Sequence, residues 1–100
     1  MSSARKMVMV VFNEAMDDEV MDVIEGCGAK NYTKIAGTFG RGTRSGTHLG
    51  NDIWPGQNNI LLVACEDAQA DKLLACIATL REKLGHEGVK AFVWRLESVT

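Results

Sequence analysis

Apolar positions fall along this chain in two kinds of run. Residues 7–12 (Met-Val-Met-Val-Val-Phe) and 60–65 (Ile-Leu-Leu-Val-Ala-Cys) are apolar at every position. Runs of this length, rich in β-branched residues, predict strands flanked by other chain on both faces. Residues 30–39 alternate loosely, with Tyr32, Lys34 and Ala36 against Thr33, Ile35 and Gly37, which predicts a half-exposed strand. Residues 89–96 set Ala91, Val93 and Arg95 against Lys90, Phe92, Trp94 and Leu96, a fourth strand. Between the strands the period changes. Met16, Val20, Val23 and Ile24 recur at helical spacing, as do Ala70, Leu73, Leu74, Ile77, Leu80 and Leu84. Asn13 and Asp67 are the expected caps at the helix starts. Asp17, Asp18 and Glu19 suit the positive end of the first helix, and Arg81 and Lys83 the negative end of the second. Gly26-Cys27-Gly28 and Gly85 are the expected stops.

The order β-α-β-β-α-β predicts an α+β, ferredoxin-like sandwich: a four-stranded antiparallel sheet with two helices on one face. Right-handed crossovers give strand order 4-1-3-2, with the two fully apolar strands in the middle. Two helices cover only one face. Met9, Val11, Leu61 and Val63, or the residues alternating with them, are left on the other. That is an apolar patch on the order of several hundred Å2, more than monomers usually expose. A closed homo-oligomer that packs such faces together is the expected solution. Met7, Met9, Met16 and Met21 are read as packing residues.

One stretch carries neither period. Residues 37–56 contain six of the ten glycines and the only proline, and their only charged side chains are Arg41, Arg44 and Asp52. Glycine at this density resists regular structure. Two readings stand side by side: an anion cradle of freed backbone N–H groups and guanidinium groups, or a plain long connection. Residues 41–53 are expected to be mobile in the free protein and to tighten on binding. The net charge of −2 excludes a general nucleic-acid binder, and the central strands lack the aromatics of an RNA-recognition sheet. One hundred residues suit one domain. The first apolar run is too short to span a membrane and has no cleavage site after it, so a cytoplasmic protein is expected. Three cysteines, with no Cys-x-x-Cys, predict no disulfide framework. Cys65 and Cys76 are read as small core residues and Cys27 as exposed.

The topology, the long loop after the second strand, and the segments Phe39-Gly40-Arg41 and Gly88-Val89-Lys90-Ala91-Phe92-Val93 together resemble the PII signalling proteins. In that family a Gly-Phe-Gly-Arg-Gln-like segment leads into the T-loop, and a Gly-Asp-Gly-Lys-Ile-Phe-Val segment carries the B-loop into the last strand. The resemblance implies one PII-like domain over residues 1–100 with a T-loop-like insertion at about 40–58. It implies a homotrimer that is not an enzyme. Such a trimer binds a small anionic ligand, ATP, ADP or AMP, in clefts between subunits. It acts on a target protein, such as a membrane transporter or an enzyme, through its loop. Carried over, Gly40 and Arg41 at the loop base stand near phosphate and Lys90 neutralises charge, with Gly37 and Gly42 as neighbouring candidates. Arg44 and Arg95 are further candidates. The sequence also departs from the family pattern. Gly42 stands where the family has a glutamine associated with magnesium and 2-oxoglutarate, and Val89 replaces the glycine before the lysine. The loop has no tyrosine for uridylylation.

Other readings use other residues. His48 and Asp52, with His86, are weak as metal ligands, because a stable site needs three or four ligands and supporting contacts. Trp54, in Trp54-Pro55-Gly56, is the candidate partner contact. Two further families share this fold: the divalent-metal-associated CutA trimers and the acylphosphatases. The phosphate loop of the latter is not found in this chain. There is no Ser/His/Asp set and no activated-cysteine signature.

Overall fold

The computed structural model describes residues 4–40 and 57–100. The elements are β1 (Lys6–Asn13), a single 3-10 turn (Glu14–Met16), α1 (Asp17–Gly26), β2 (Thr33–Phe39), β3 (Gln57–Cys65), α2 (Asp67–Lys83) and β4 (Val89–Arg95). They form one antiparallel sheet in the order β2-β3-β1-β4, as expected. β3 starts at Gln57, three residues before the apolar run. Polar Asn58 and Asn59 join the strand because β2 and β1 offer them backbone partners in register.

Alternation sorts the side chains of the central strands. Val8, Val10 and Phe12 of β1 and Leu61, Val63 and Cys65 of β3 are buried beneath the helices. From the helix layer, Val20 and Ile24 of α1 and Ala70, Leu73, Ile77 and Leu80 of α2 complete this core. Each fully buried aliphatic side chain contributes roughly 1.5–3 kcal/mol. Leu74, expected on the apolar face, is 37% exposed, because it lies one position past the Leu73 ridge. The open face carries Met7, Met9 and Val11 of β1 and Ile60 and Leu62 of β3, all half-buried. It is flanked by Phe92 and Trp94, which stand beside Met9 and Met7 in register. Leu61 and Val63 belong to the helix side, and their neighbours Ile60 and Leu62 take the open side. Met16 and Met21 pack against the core, whereas Met7 and Met9 lie on the open face.

The ends of the helices show how local chemistry sets their limits. Asn13 caps the 3-10 turn, with its Oδ1 accepting from the Ala15 N–H at 2.9 Å. Asp67 is not a cap. Glu66 takes the extended cap position without a side-chain bond, and Asp67 is the first helical residue. Both helices end in the same double hydrogen bond. Gly28 N–H reaches Glu25 O and Ala29 N–H reaches Ile24 O, and at α2 Gly85 N–H reaches Glu82 O and His86 N–H reaches Arg81 O. This is the Schellman arrangement, and the positive φ of Gly28 and Gly85 is what permits it.

The cysteines correct the sequence reading. Cys27 and Cys76 form a disulfide across 49 residues, with Cα atoms 6.8 Å apart. Both are half-buried, so Cys76 is not a plain core residue and Cys27 is not freely exposed. Spacing along the chain held no trace of the pair, because it is the packing of α1 against α2 that brings the two together. Cys65 is free and buried, as expected, and burial pushes its thiol pKa up, with Asp67 adding to the shift.

Candidate functional site

The base of the long loop is built by a bulge in β2. Ile35 pairs with Ile60 and Thr38 with Asn58, so two residues of β2 oppose Asn59 alone. Gly37 absorbs the extra residue at φ +71. Its N–H does not point to a free ligand position. It donates to Asn59 Oδ1 at 3.1 Å. Asn59, 6% exposed, donates in turn to Asp17 Oδ1 at 2.9 Å, and Asp17 pairs with Lys34. The Lys34 ammonium, with help from Asn59, holds the Asp17 carboxyl below its ordinary pKa, against a smaller opposing effect of burial. Thr38 Oγ1 adds a 2.8 Å bond to Asn58 O. This Gly37–Asn59–Asp17–Lys34 chain ties the loop base to the start of α1. Sequence reasoning missed it. Asn59 lies at the polar edge of an apolar run, and Asp17 had a sufficient role at a helix start.

Gly40 follows β2 and is exposed. A Cβ there would meet Asn58 Nδ2 at 2.8 Å, so the backbone lies close against the Asn58 side chain. Phe39 beside it is 80% exposed. Arg41, Gly42, Arg44 and Trp54 lie outside the described residues, as do His48, Asp52 and the segment expected to be mobile.

Lys90 lies near the start of β4, exposed, on the open face next to Val11 in register. Its Nζ sits 5.6 Å from the centre of the Phe92 ring, a cation–π contact. The turn before it is held from α2. Arg81 Nη2 donates to His86 O at 3.0 Å, and Gly88 O accepts from Asn13 N–H at 2.9 Å. Gly88, at φ +86, packs its backbone onto the end of the Met16 side chain, which a Cβ would displace. Arg81, expected from sequence only as a basic residue at the negative end of α2, is therefore also a support of this turn.

Gly40 and Lys90 share one end of the sheet but occupy its opposite edges, three strand spacings or about 14 Å apart. Arg95 is at the far end of β4, opposite Lys6. With Arg5, Glu97 and Ser98 it lines a separate cavity of about 220 Å3. The structure thus brings Gly37 and Gly40 together, sets Lys90 across the sheet from them, and places Arg95 elsewhere. Among the described residues no group of three or more His, Cys, Asp or Glu is placed to hold a metal. No helix among them is long and apolar enough to cross a membrane.

Comparison with known proteins gives one consistent answer. The family model described as nitrogen regulatory protein P-II matches residues 5–100. A PII-like signaling protein of Thermus thermophilus superposes with a TM-score of 0.63 at 25% identity, over 92% of this chain and 86% of that one. CPII of Thiomonas intermedia, in a structure bound to ADP, AMP and acetate, gives 0.68 at 15% identity over 92% and 85%. The same protein bound to ADP and bicarbonate gives 0.64 at 18% identity over 94% and 89%. At those identities the CPII likeness shows the fold. No curated protein sequence matches the chain.

Proposed function

Because this chain belongs to the P-II family of nitrogen regulatory proteins, we propose that it is a trimeric ligand sensor that regulates a target protein and catalyses no reaction of its own. Its ligand is a small anion, an adenine nucleotide (ATP, ADP or AMP), bound in the clefts between subunits. One observation carries this reading most directly. The loop base and Lys90 lie at the same end of the sheet on opposite edges, so one phosphate meets both only when a second copy brings its β4 edge to this copy's loop base. Gly40 and Gly42 admit backbone N–H donors, Arg41 and Arg44 grip phosphate oxygens, and Lys90 adds charge from the neighbouring subunit. Arg95 lies at the other end of β4 from Lys90, so it stays outside this cleft. Gly37 serves the site indirectly, by shaping the bulge. The ADP- and AMP-bound structures of CPII support the choice of nucleotide, and its bicarbonate-bound form makes bicarbonate worth screening beside it.

The rest of the reading concerns the partner. The insertion at about 40–58, entered from Phe39 and left at Gln57, contacts the target, with Trp54 as its apolar anchor. The target is a protein such as a membrane transporter or an enzyme, met in the cytoplasm.

A thermal-shift screen of ATP, ADP, AMP, bicarbonate and divalent metals identifies the ligand, and calorimetry then tests the residues. Arg41→Ala and Lys90→Ala should each weaken binding by about tenfold or more, the effect of losing a charge-assisted hydrogen bond of roughly 1.5–3 kcal/mol. Lys72→Ala, on the exposed side of α2, should leave binding unchanged. Parent-like binding by both variants would move the site away from this cleft and toward the Trp54 segment.

A further inference from the structure

The helix layer contains a bond that nothing in the ligand-sensing reading requires. The Cys27–Cys76 disulfide joins the end of α1 to the middle of α2. We propose that this disulfide is a redox-responsive clamp on α1, and that its reduction loosens the loop base through the Asp17 end of the same helix.

Three observations lead there. First, α1 is short and lightly held. It has ten residues, of which only Val20 and Ile24 are buried. An isolated helix of that length is marginal in water, so its stability comes from what it is docked to. Second, it is docked at both ends by specific bonds. At the C-terminal end the disulfide is joined by two side-chain hydrogen bonds, Gln69 Nε2 donating to Cys27 O at 3.0 Å and the Tyr32 hydroxyl donating to Glu25 Oε2 at 3.3 Å. At the N-terminal end Asp17 meets Asn59 and Lys34, and Asn59 holds the Gly37 N–H at the foot of the loop. A change at one end is therefore felt by an element that fastens the loop at the other. Third, the bond is reachable. Cys27 and Cys76 are half-buried and are flanked by the exposed residues Gly26, Gly28 and Ala75, whereas the third cysteine, Cys65, is enclosed in the core. Open-face packing between subunits would leave the helix layer, and this bond, on the outside. In a reducing compartment a disulfide is usually transient or redox-sensing, so cytoplasmic placement would fit a switch better than a permanent staple.

The reaction is ordinary thiol–disulfide exchange with a dithiol reductant. One thiolate of the reductant attacks a sulfur of the pair. The Cys27–Cys76 bond breaks to a mixed disulfide and a leaving thiolate, which takes up a proton. The second thiolate of the reductant then expels the other cysteine, also protonated. The protein gains two electrons and two protons, and the reductant leaves as its own disulfide.

The experiment uses the full chain, oxidised and after treatment with excess dithiothreitol under native conditions, beside Cys27→Ser, Cys76→Ser and Cys65→Ser. Mass spectrometry after alkylation counts the freed thiols, thermal unfolding reads stability, and hydrogen exchange reads location. Reduction of the parent should free two thiols without unfolding. It should lower the midpoint by about 10 °C or more, as expected for opening a long loop in a domain this small. Exchange should speed up about tenfold in α1 and at the Gly37 amide, with β1 and β3 little changed. Cys27→Ser and Cys76→Ser should resemble the reduced parent and ignore the reductant, while Cys65→Ser should respond as the parent does. Resistance of the bond to native reduction would overturn the proposal, as would an unchanged midpoint. Faster exchange confined to α1, or spread evenly over all strands, would overturn the coupling to the loop base. None of these outcomes depends on which anion the cleft takes, so failure here leaves the ligand-sensing reading untouched.

Discussion

At the scale of single residues, Asn59 has the largest consequences for its size. It is the only buried polar side chain among the described residues, and it satisfies a backbone N–H at the bulge while donating to a carboxylate. Replacing it with Leu keeps the bulk and removes both bonds. Asn59→Leu should cost about 1–3 kcal/mol, the loss of two hydrogen bonds each worth roughly 0.5–1.5 kcal/mol, read as a lower urea midpoint. Asp17 adds a pH dependence. Its folded pKa is lowered, chiefly by Lys34, from the ordinary 3.8. The stabilisation is therefore present in full above that value and is lost as pH falls through the lowered folded one. The pair is about a third exposed, so its worth at neutral pH is small, about 0.5–1 kcal/mol. Asp17→Asn keeps an acceptor for Asn59 but loses the charge. Its stability should fall by about that amount at neutral pH, and the gap to the parent should close below about pH 4. A constant gap across the acid range would assign the effect to something other than this carboxylate.

At the scale of elements, two glycines give opposite predictions. Gly26 closes α1 in helical conformation, and a Cβ there meets nothing within 4 Å. Gly26→Ala should stabilise by about 0.5–1 kcal/mol. Gly37 also has open space for a Cβ, but its φ is +71, so Gly37→Ala should destabilise by about 1–2 kcal/mol through backbone conformation alone. Paired denaturant titrations check both, and equal shifts would mean that the bulge is not where the structure places it. Period and punctuation made the elements legible in the sequence. The apolar runs marked the central strands, Val20 and Ile24 marked the face of α1, and Gly28 and Gly85 marked both helix ends. The loop base was legible as a place, through Phe39-Gly40-Arg41, but not as a mechanism. The contacts that build it, Gly37 to Asn59 and Asn59 to Asp17, span 22 and 42 residues. The Cys27–Cys76 bond spans 49. Partners so distant leave no periodic trace, and each of these residues had a sufficient local explanation. Arg81 illustrates the same point. A basic residue in the last turn of a helix needs no further reason, yet its guanidinium holds the carbonyl of His86 at the turn before Lys90.

At the scale of the whole molecule, the open face of the sheet is what the proposed assembly would cover. Its rows run across the strands as Leu62–Met9–Phe92 and Ala64–Met7–Trp94, and Ile60–Val11 continues them toward Lys90. Phe92 is 42% and Trp94 44% exposed in the single chain. Side chains of this kind gain free energy by leaving water at roughly 25 cal/mol per Å2, and a closed ring of copies removes the face from solvent without leaving a new one. The trimer expected of a P-II family member should give a mass of about three times 10.9 kDa by light scattering at micromolar concentration. A monomer mass would leave the paired-edge site without its second half. A variant adds a sharper test. Leu62 lies in the middle of the face, flanked by Thr33 on β2 and Met9 on β1, and Leu62→Lys would place a charge on the face through which the proposed trimer packs. It should shift the mass toward the monomer while the far-ultraviolet spectrum is kept, because the buried side of β3 is untouched. Nucleotide binding should fall with the mass, since Lys90 then loses the loop base of the neighbouring copy. Full binding by a monomeric variant would mean that one chain holds the ligand alone, and the cleft between subunits would have to be abandoned as its site.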